Sequence, residues 1–286
     1  VSQRHELARH RQKLAEAREV MNSMKSLAFM ETRKLAQFLV SQREVVATLK
    51  EVAADFLRFH QPPEAYTATG PAVYLLIGSE RGFCGAFNEA LVDQLETERD
   101  AQEAELILCG HKLCALLEDD RRILHRVEGV SVVDEAGTLL VRVSTLLADL
   151  NLQRGPILLR VIYQDDEQQS VRVDQLLPPF LPAPAEGSDN NTLQSQVPPE
   201  LHLEPREFFS ELVEHYLFAL LHEVIFVSLM SEYRRRTQHL DGAVRYLDER
   251  LEAMQRRDNQ LRQEEITEEI EVLLLNAAGA EPPADT

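Results

Sequence analysis

Apolar side chains in the first 60 residues recur in alternating steps of three and four: Leu7, Leu14, Ala17, Met21, Met24, Ala28, Leu35, Phe38, Val45, Leu49, Val52, Phe56 and Phe59. His10, Glu31 and Gln42 occupy the other positions of the frame, so thirteen of its sixteen positions are apolar. A sustained 3.5-residue repeat predicts a left-handed coiled coil rather than a short globular helix. The stretch has no Gly or Pro until Pro62-Pro63 stops it, and about 55 helical residues would reach ~80 Å. A second frame begins near Glu207 and runs to about Ala277: Phe226, Met230, Tyr233, Thr237, Leu240, Val244, Leu247, Leu251, Met254, Asp258 and Leu261. After a phase shift, Ile266, Ile270 and Leu273 continue it, and only Gly242 interrupts the helix.

Between the two frames the period changes. Ala72-Val-Tyr-Leu-Leu-Ile77 reads as a strand, followed by a glycine-punctuated loop and a helix near 89–98. Leu106-Ile-Leu-Cys109 is a second strand, Val130-Ser-Val-Val133 a weaker strand candidate, and 138–150 a helix. Residues 157–164 and 170–173 read as a hairpin turning at Asp165-Asp166-Glu167. Strands alternating with helices predict a small Rossmann-like α/β domain with a mostly parallel sheet. The expected class is therefore α+β: a long antiparallel two-helix coiled coil, residues 1–60 with 207–277, enclosing an α/β domain at 68–206. The proline-rich stretch 178–205 is expected to be an exposed, poorly ordered connection, and 278–286 a flexible tail. Each helix pairing with its twin in a homodimer is the competing arrangement.

Charge supports the intramolecular pairing. Residues 1–60 carry 11 Lys/Arg against 7 Asp/Glu, whereas 207–277 carry 8 against 15. The whole chain stands at −18, which argues against a nucleic-acid binder. Three cysteines, Cys84, Cys109 and Cys114, cannot form a fully paired disulfide framework and read as reduced, cytoplasmic thiols. The first 20 residues are charged and lack the apolar core of a signal peptide. The most apolar stretch, from Tyr216 to Met230, contains His222 and Glu223 and is shorter than the ~20 residues of a membrane span. It reads as a buried helix segment, with no direct membrane insertion.

No catalytic constellation emerges. The loop Gly78-Ser-Glu-Arg-Gly-Phe-Cys-Gly lies between strand and helix, where phosphates often bind. It is neither G-x-G-x-x-G nor a P-loop, so a backbone turn is the plainer reading. A helix N-terminus can lower a nearby thiol's pKa, but the plainer reading of Cys84 is structural. Cys109 and Cys114 lack a second pair for zinc, and Phe226 stands where H-E-x-x-H would need its second histidine after His222-Glu223. Asp119-Asp120 and Asp165-Asp166 read as surface charge.

Three segments carry a family resemblance. Val20-Met-Asn-Ser-Met24-Lys25-Ser-Leu-Ala28 is similar to I-T-K-A-M-K-M-V-A, and Ser79-Glu-Arg81-Gly82-Phe-Cys84-Gly85-Ala-Phe-Asn88 to S-D-R-G-L-C-G-G-L-N. The third runs from Ser228-Leu-Met-Ser231-Glu232 through Arg236 and Asp241-Gly-Ala243 to Asn259-Gln-Leu-Arg262-Gln263-Glu-Glu-Ile266-Thr267-Glu-Glu269-Ile270. Together they resemble the gamma subunit of F-type ATP synthases, the central rotor stalk. Glu19 stands where that family has Lys, and Gly242 where it has Asn, which marks a divergent branch.

The resemblance implies a non-catalytic rotor shaft, present in one copy and coupling ion-driven rotation of a c-subunit ring to ATP synthesis or hydrolysis. Its implied partners are a hexamer of alpha and beta subunits, the epsilon subunit and the c-ring. Mg-ATP and ADP would sit on the partners and no cofactor on this chain. The implied location is peripheral, on the cytoplasmic face of a bacterial inner membrane. The implied hexamer contacts are Met24, Lys25, Glu232, Arg236, Gln263, Thr267 and Glu269. Arg81, Gly82, Cys84, Gly85 and Asn88 form the implied foot motif. A coiled-coil adaptor with an α/β head, and a nucleotide-binding enzyme using the Gly82–Gly85 loop, remain the alternatives.

Overall fold

The computed structural model describes residues 2–63, 70–165, 167, 170–180 and 198–278. The expected poorly ordered connection falls largely, and the tail from 279 entirely, outside the described residues. Helix α1 (Ser2–Leu57) precedes strand β1 (Ala72–Ile77), helix α2 (Phe87–Thr97), strand β2 (Glu105–Cys109) and helix α3 (His111–Leu116). Strand β3 (Ile123–Val127), helix α4 (Ala136–Arg154), strands β4 (Leu158–Asp165) and β5 (Ser170–Leu177), and helix α5 (Pro205–Ala278) complete the order. The chain forms two compact units: residues 28–236, and residues 1–27 with 237–286. The α/β unit thus takes in part of each long helix, beyond the expected 68–206.

In the paired-helix unit the two segments run antiparallel. Arg4 bonds Asp258 at 3.1 Å and Glu265 at 3.0 Å, Arg18 bonds Asp248 at 2.9 Å, and Lys25 bonds Asp241 at 3.2 Å. Partner numbers fall as α1 numbers rise, as antiparallel register requires. The cations come from α1 and the anions from α5, the asymmetry visible in the charge counts. Each exposed pair contributes only ~0.2–1 kcal/mol, so the seam carries most of the association. Leu240, Val244 and Leu247 are buried there, and Leu7, Leu14, Met21, Met24, Leu251, Met254 and Leu261 are half-buried. Gly242 lies within continuous helix with open space around its Cα; its cost of ~1 kcal/mol against Ala is one the seam tolerates. Glu265 takes the seam position after Leu261 and pairs with Arg4. The expected continuation through Ile266, Ile270 and Leu273 is exposed instead.

The α/β unit is built on one five-stranded sheet, ordered β3-β2-β1-β4-β5. Pairs β1–β2, β1–β4 and β2–β3 are parallel, and the β4–β5 hairpin adds an antiparallel edge. Strand alternation sends Val73, Leu75 and Ile77 into a core shared with α1, α4 and α5. Tyr74 and Leu76 face a second core with Phe87, Leu91 and Leu95 of α2 and Leu113 of α3. Helices α2 and α3 thus cover one face of the sheet and α4 the other. The crossover changes face between β1 and β4, which makes the carboxyl ends of these strands the topological switch point.

Two expectations change. The third strand is Ile123–Val127, not 130–133. Its exposed His125 and Arg126 suit an edge strand and conceal it from an apolar-run search. Val130 and Val133 are buried without strand pairing; a 3-10 turn, Val133–Glu135, tucks them into the core. The buried face of α1 also moves by one residue after Leu35. Leu39, Val46 and Ala53 are buried, while Phe38, Val45, Val52 and Phe59 are 39–52% exposed. Here α1 meets more than a single helix: Leu39 and Val46 join the cluster of Val133, Leu140 and the inner sheet face. A broader interface replaces the narrow coiled-coil seam. The run from Tyr216 to Met230 lies largely in this core, as expected for a buried helix segment.

Candidate functional site

The loop 78–86 leaves the carboxyl end of β1 at the switch point, and three anchors shape it. Asn88 is buried at the start of α2; its Oδ1 accepts from the Ser79 amide and its Nδ2 donates to Ser79 Oγ, both at 2.9 Å. The Glu80 carboxylate accepts from the His111 and Gly129 amides, each at 2.9 Å. Arg81 Nε donates to Ser131 Oγ at 2.9 Å. Gly85 takes φ 61°, and Phe83 takes φ 65° with its ring half-exposed. Left-handed backbone at an aromatic residue costs energy and recurs at functional loops.

Helix α5 lies across the same strand ends. Ser228 Oγ donates to Ile77 O at 3.1 Å and Ser231 Oγ to Gln164 O at 3.0 Å. Arg235 donates to Gln164 Oε1 at 3.0 Å, while Gln164 Nε2 donates to Phe87 O at 3.0 Å. Arg236 Nε donates to Gly82 O at 3.2 Å, and its guanidinium also pairs with Glu232 and lies 3.5 Å from Cys84 Sγ. Tyr233 OH donates to Ser131 O at 2.9 Å. The gap left beside Gly78, Gly129 and Glu232 is about 10 Å³, at most the space of one water. The crevice that holds a dinucleotide in a doubly wound enzyme is therefore filled by the protein's own helix.

Burial governs the titratable groups here. It holds the Glu232 carboxyl above its ordinary range, against the pull of Arg236 and the loop amides. It also opposes charge on Arg236, but Glu232 with Cys84 and Tyr233 together outweigh it and leave the guanidinium pKa raised. Burial pushes the Cys84 thiol up to about 11 and Cys109 up to about 12, and raises Cys114. Cys84 is thus the structural thiol, not an activated one. At pH 7.5 the native chain is expected to react with Ellman's reagent first at half-buried Cys114. Cys84 and Cys109 should react at least about a hundredfold more slowly, since the thiolate is the reactive form. All three should react at once in guanidinium chloride, and fast native labelling of Cys84 would contradict this assignment.

Arg81, Gly82, Cys84, Gly85 and Asn88 come together with Glu232 and Arg236 in one cluster. For the last two this differs from the implied surface role: they are 3% and 5% exposed and direct their charges at each other and at the loop. Met24 is half-buried in the paired-helix seam, and Lys25 bonds Asp241. Gln263, Thr267 and Glu269 are exposed, with Thr267 Oγ1 donating back to Gln263 O at 2.9 Å. Glu80, Ser228 and Ser231 lie within the family-like motifs without an assigned role, and Gln164 lies outside them. The serines stand out as polar residues three apart in an otherwise apolar helical run.

The α/β unit is thus a doubly wound domain whose strand ends at the switch point are covered by helix α5. The chain belongs to the ATP synthase family, whose model matches residues 3–278. It is 24% identical over 288 residues to the ATP synthase gamma chain of Geotalea daltonii, covering 91% of this chain and 92% of that one. It is likewise 24% identical over 276 residues to the gamma chain of Clostridium perfringens, at 93% and 94% coverage. A chain of the Euglena gracilis mitochondrial ATP synthase in rotational state 3 superposes with a TM-score of 0.61 at 16% identity, covering 100% of this chain and 98% of that one. A rotor chain of the same enzyme in rotational state 1 gives 0.54 at 17% identity, covering 93% and 99%. At these identities the structures share the fold.

Proposed function

We propose that this chain is the central rotor shaft of an F-type ATP synthase, coupling rotation of a membrane ring to nucleotide chemistry on other subunits. The observation that carries the reading is the family match, which runs through both long helices and the α/β unit between them. The physical parts suit the task. An antiparallel helix pair is stiff and presents chemically different faces to its surroundings. A shaft couples distant sites only if its orientation changes their relative affinities. Past Glu265, Ile266, Ile270, Val272, Leu273, Leu274 and Leu275 are 46–72% exposed. Such an apolar patch marks an interaction surface, and apolar contact is non-directional, so it can support a turning helix without locking it.

In this reading Met24, Lys25, Gln263, Thr267 and Glu269 face alpha and beta subunits. Glu232, Arg236 and the foot motif act through the geometry of the loop, with exposed Phe83 as its outer surface. Epsilon and the c-ring contact the α/β unit. Mg-ATP and ADP bind on the alpha–beta hexamer, and the chain sits peripherally at the cytoplasmic face of a bacterial membrane. Co-expression with alpha and beta subunits tests the proposal. An ATPase containing three alpha, three beta and one copy of this chain is expected (the gamma-type stoichiometry the family implies). Unchanged assembly and turnover without the chain would sink the rotor reading and favour an adaptor.

A further inference from the structure

A doubly wound domain takes its ligand outside the carboxyl ends of the strands, at the switch point. Backbone amides of the loops there hold the ligand's anionic groups. In this chain the parts of such a site are present, and an anion already occupies them. The Glu232 carboxylate accepts from the backbone amides of Glu80 and Arg81, at the start of the loop after β1. It also pairs with the guanidinium of Arg236, one turn further along α5. Arg236 is fixed in turn by its bond to Gly82 O at 3.2 Å and by Cys84 Sγ at 3.5 Å. The loop's other carboxylate, that of Glu80, is taken up by the His111 and Gly129 amides. A side chain that only filled space here would be apolar, since a buried carboxylate is costly unless donors meet it.

We infer that the switch point is a built carboxylate site whose resident ligand is the chain's own Glu232, and that this internal ligand seats α5 on the foot loop. Two loop amides and one guanidinium converge on a single carboxylate, which defines the class of ligand the site takes: a small carboxylate anion. The occupant excludes any external one, because the space left beside Glu232 is about 10 Å³. Ser228 and Ser231 bond strand-end carbonyls from the same stretch of α5, so the carboxylate is the one anionic part of a larger attachment. All of these residues belong to the α/β unit, and the rotor reading does not require the site.

Glu232→Ala removes the same heavy atoms that make up acetate, so acetate is the probe. Added to the full-length variant, it should raise the urea midpoint saturably, with half-saturation on the order of 10 mM. It should also slow amide hydrogen exchange at Glu80 and Arg81. Acetamide, which has the same shape without the charge, should have no such effect, nor should chloride at equal ionic strength. The wild type should not respond because its site is filled. Glu232→Ala combined with Arg236→Met should not respond because the guanidinium is gone. Acetate that performs no better than acetamide or chloride overturns the inference, and so does an equal gain in the wild type or in the double variant. Glu232→Gln keeps the side-chain volume and gives a second measurement that does not depend on the alanine variant folding. In it, exchange at the Glu80 and Arg81 amides should quicken at least about tenfold over the wild type, the loss of charge-assisted bonds. Unchanged exchange there equally overturns the inference. Every readout uses the isolated chain, so failure here is distinct from failure to assemble with alpha and beta subunits.

Discussion

Replacing Arg236 with methionine is expected to destabilise the α/β unit by about 3–5 kcal/mol, because it leaves the buried Glu232 carboxylate unpaired. Urea unfolding followed by circular dichroism reads this directly. Replacing both residues with methionine should recover most of the loss, since apolar substitutes of similar volume avoid the desolvation cost of both charges. The penalty should also depend on pH. Burial already raises the Glu232 carboxyl above its ordinary value of 4.5. A raised folded-state pKa means the group's favourable contribution is complete below the unfolded value and is lost as pH rises through the folded one. Without Arg236 the carboxyl rises further, so the variant's deficit should shrink between pH 8 and pH 5 as Glu232 takes up a proton. A penalty under ~1 kcal/mol, or one flat with pH, would mean that water reaches the pair. The loop should suffer with the fold, because Arg236 also holds Gly82 O and faces Cys84.

Gly110→Ala carries the second large effect. Gly110 has φ +106°, and a Cβ there would lie 2.7 Å from Gly78 O and 2.9 Å from Ser79 O. Both contacts are backbone, so no side chain can rotate away. The backbone conformation alone costs ~1–3 kcal/mol for an L residue. The clash falls where Gly78 N donates to Cys109 O at 2.9 Å and Lys112 N donates to Ser79 O at 3.1 Å. A total loss of about 3 kcal/mol or more is expected, together with faster amide exchange at Gly78 and in the 79–86 loop. Unchanged stability with unchanged exchange would show that the β1 and β2 ends can separate without cost. For the rotor reading, the informative comparison is whether such a variant still assembles but loses turnover.

The heptad frames, the β1 run and the glycine loop all lie in contiguous residues. Periodicity and turn chemistry read them where one stretch of chain decides burial, which for the frames holds up to Leu35 in α1 and to Leu261 in α5. The opposite charges of the two helices also foretold their pairing, now seen at Arg4, Arg18 and Lys25. The edge strand β3 escaped because its residues face solvent, and burial, not strand formation, is what an apolar pattern records.

The sequence by itself determined that two long helices would pair and that a parallel α/β domain would stand between them. Its motifs also pointed to the family the chain belongs to. Only the tertiary structure decided which face of α1 is buried beyond Leu35, since the neighbours that arrive there come from the β-strands and α4, in other parts of the chain. Only it could turn Glu232 and Arg236 inward, because a charged pair at helical spacing looks the same whether water or Gly82 O receives it. The closing of the switch point by Ser228, Ser231 and Arg235 is likewise a long-range event. It depends on α5 crossing strand ends that precede it by about 70 to 150 residues, a separation over which no local pattern carries information.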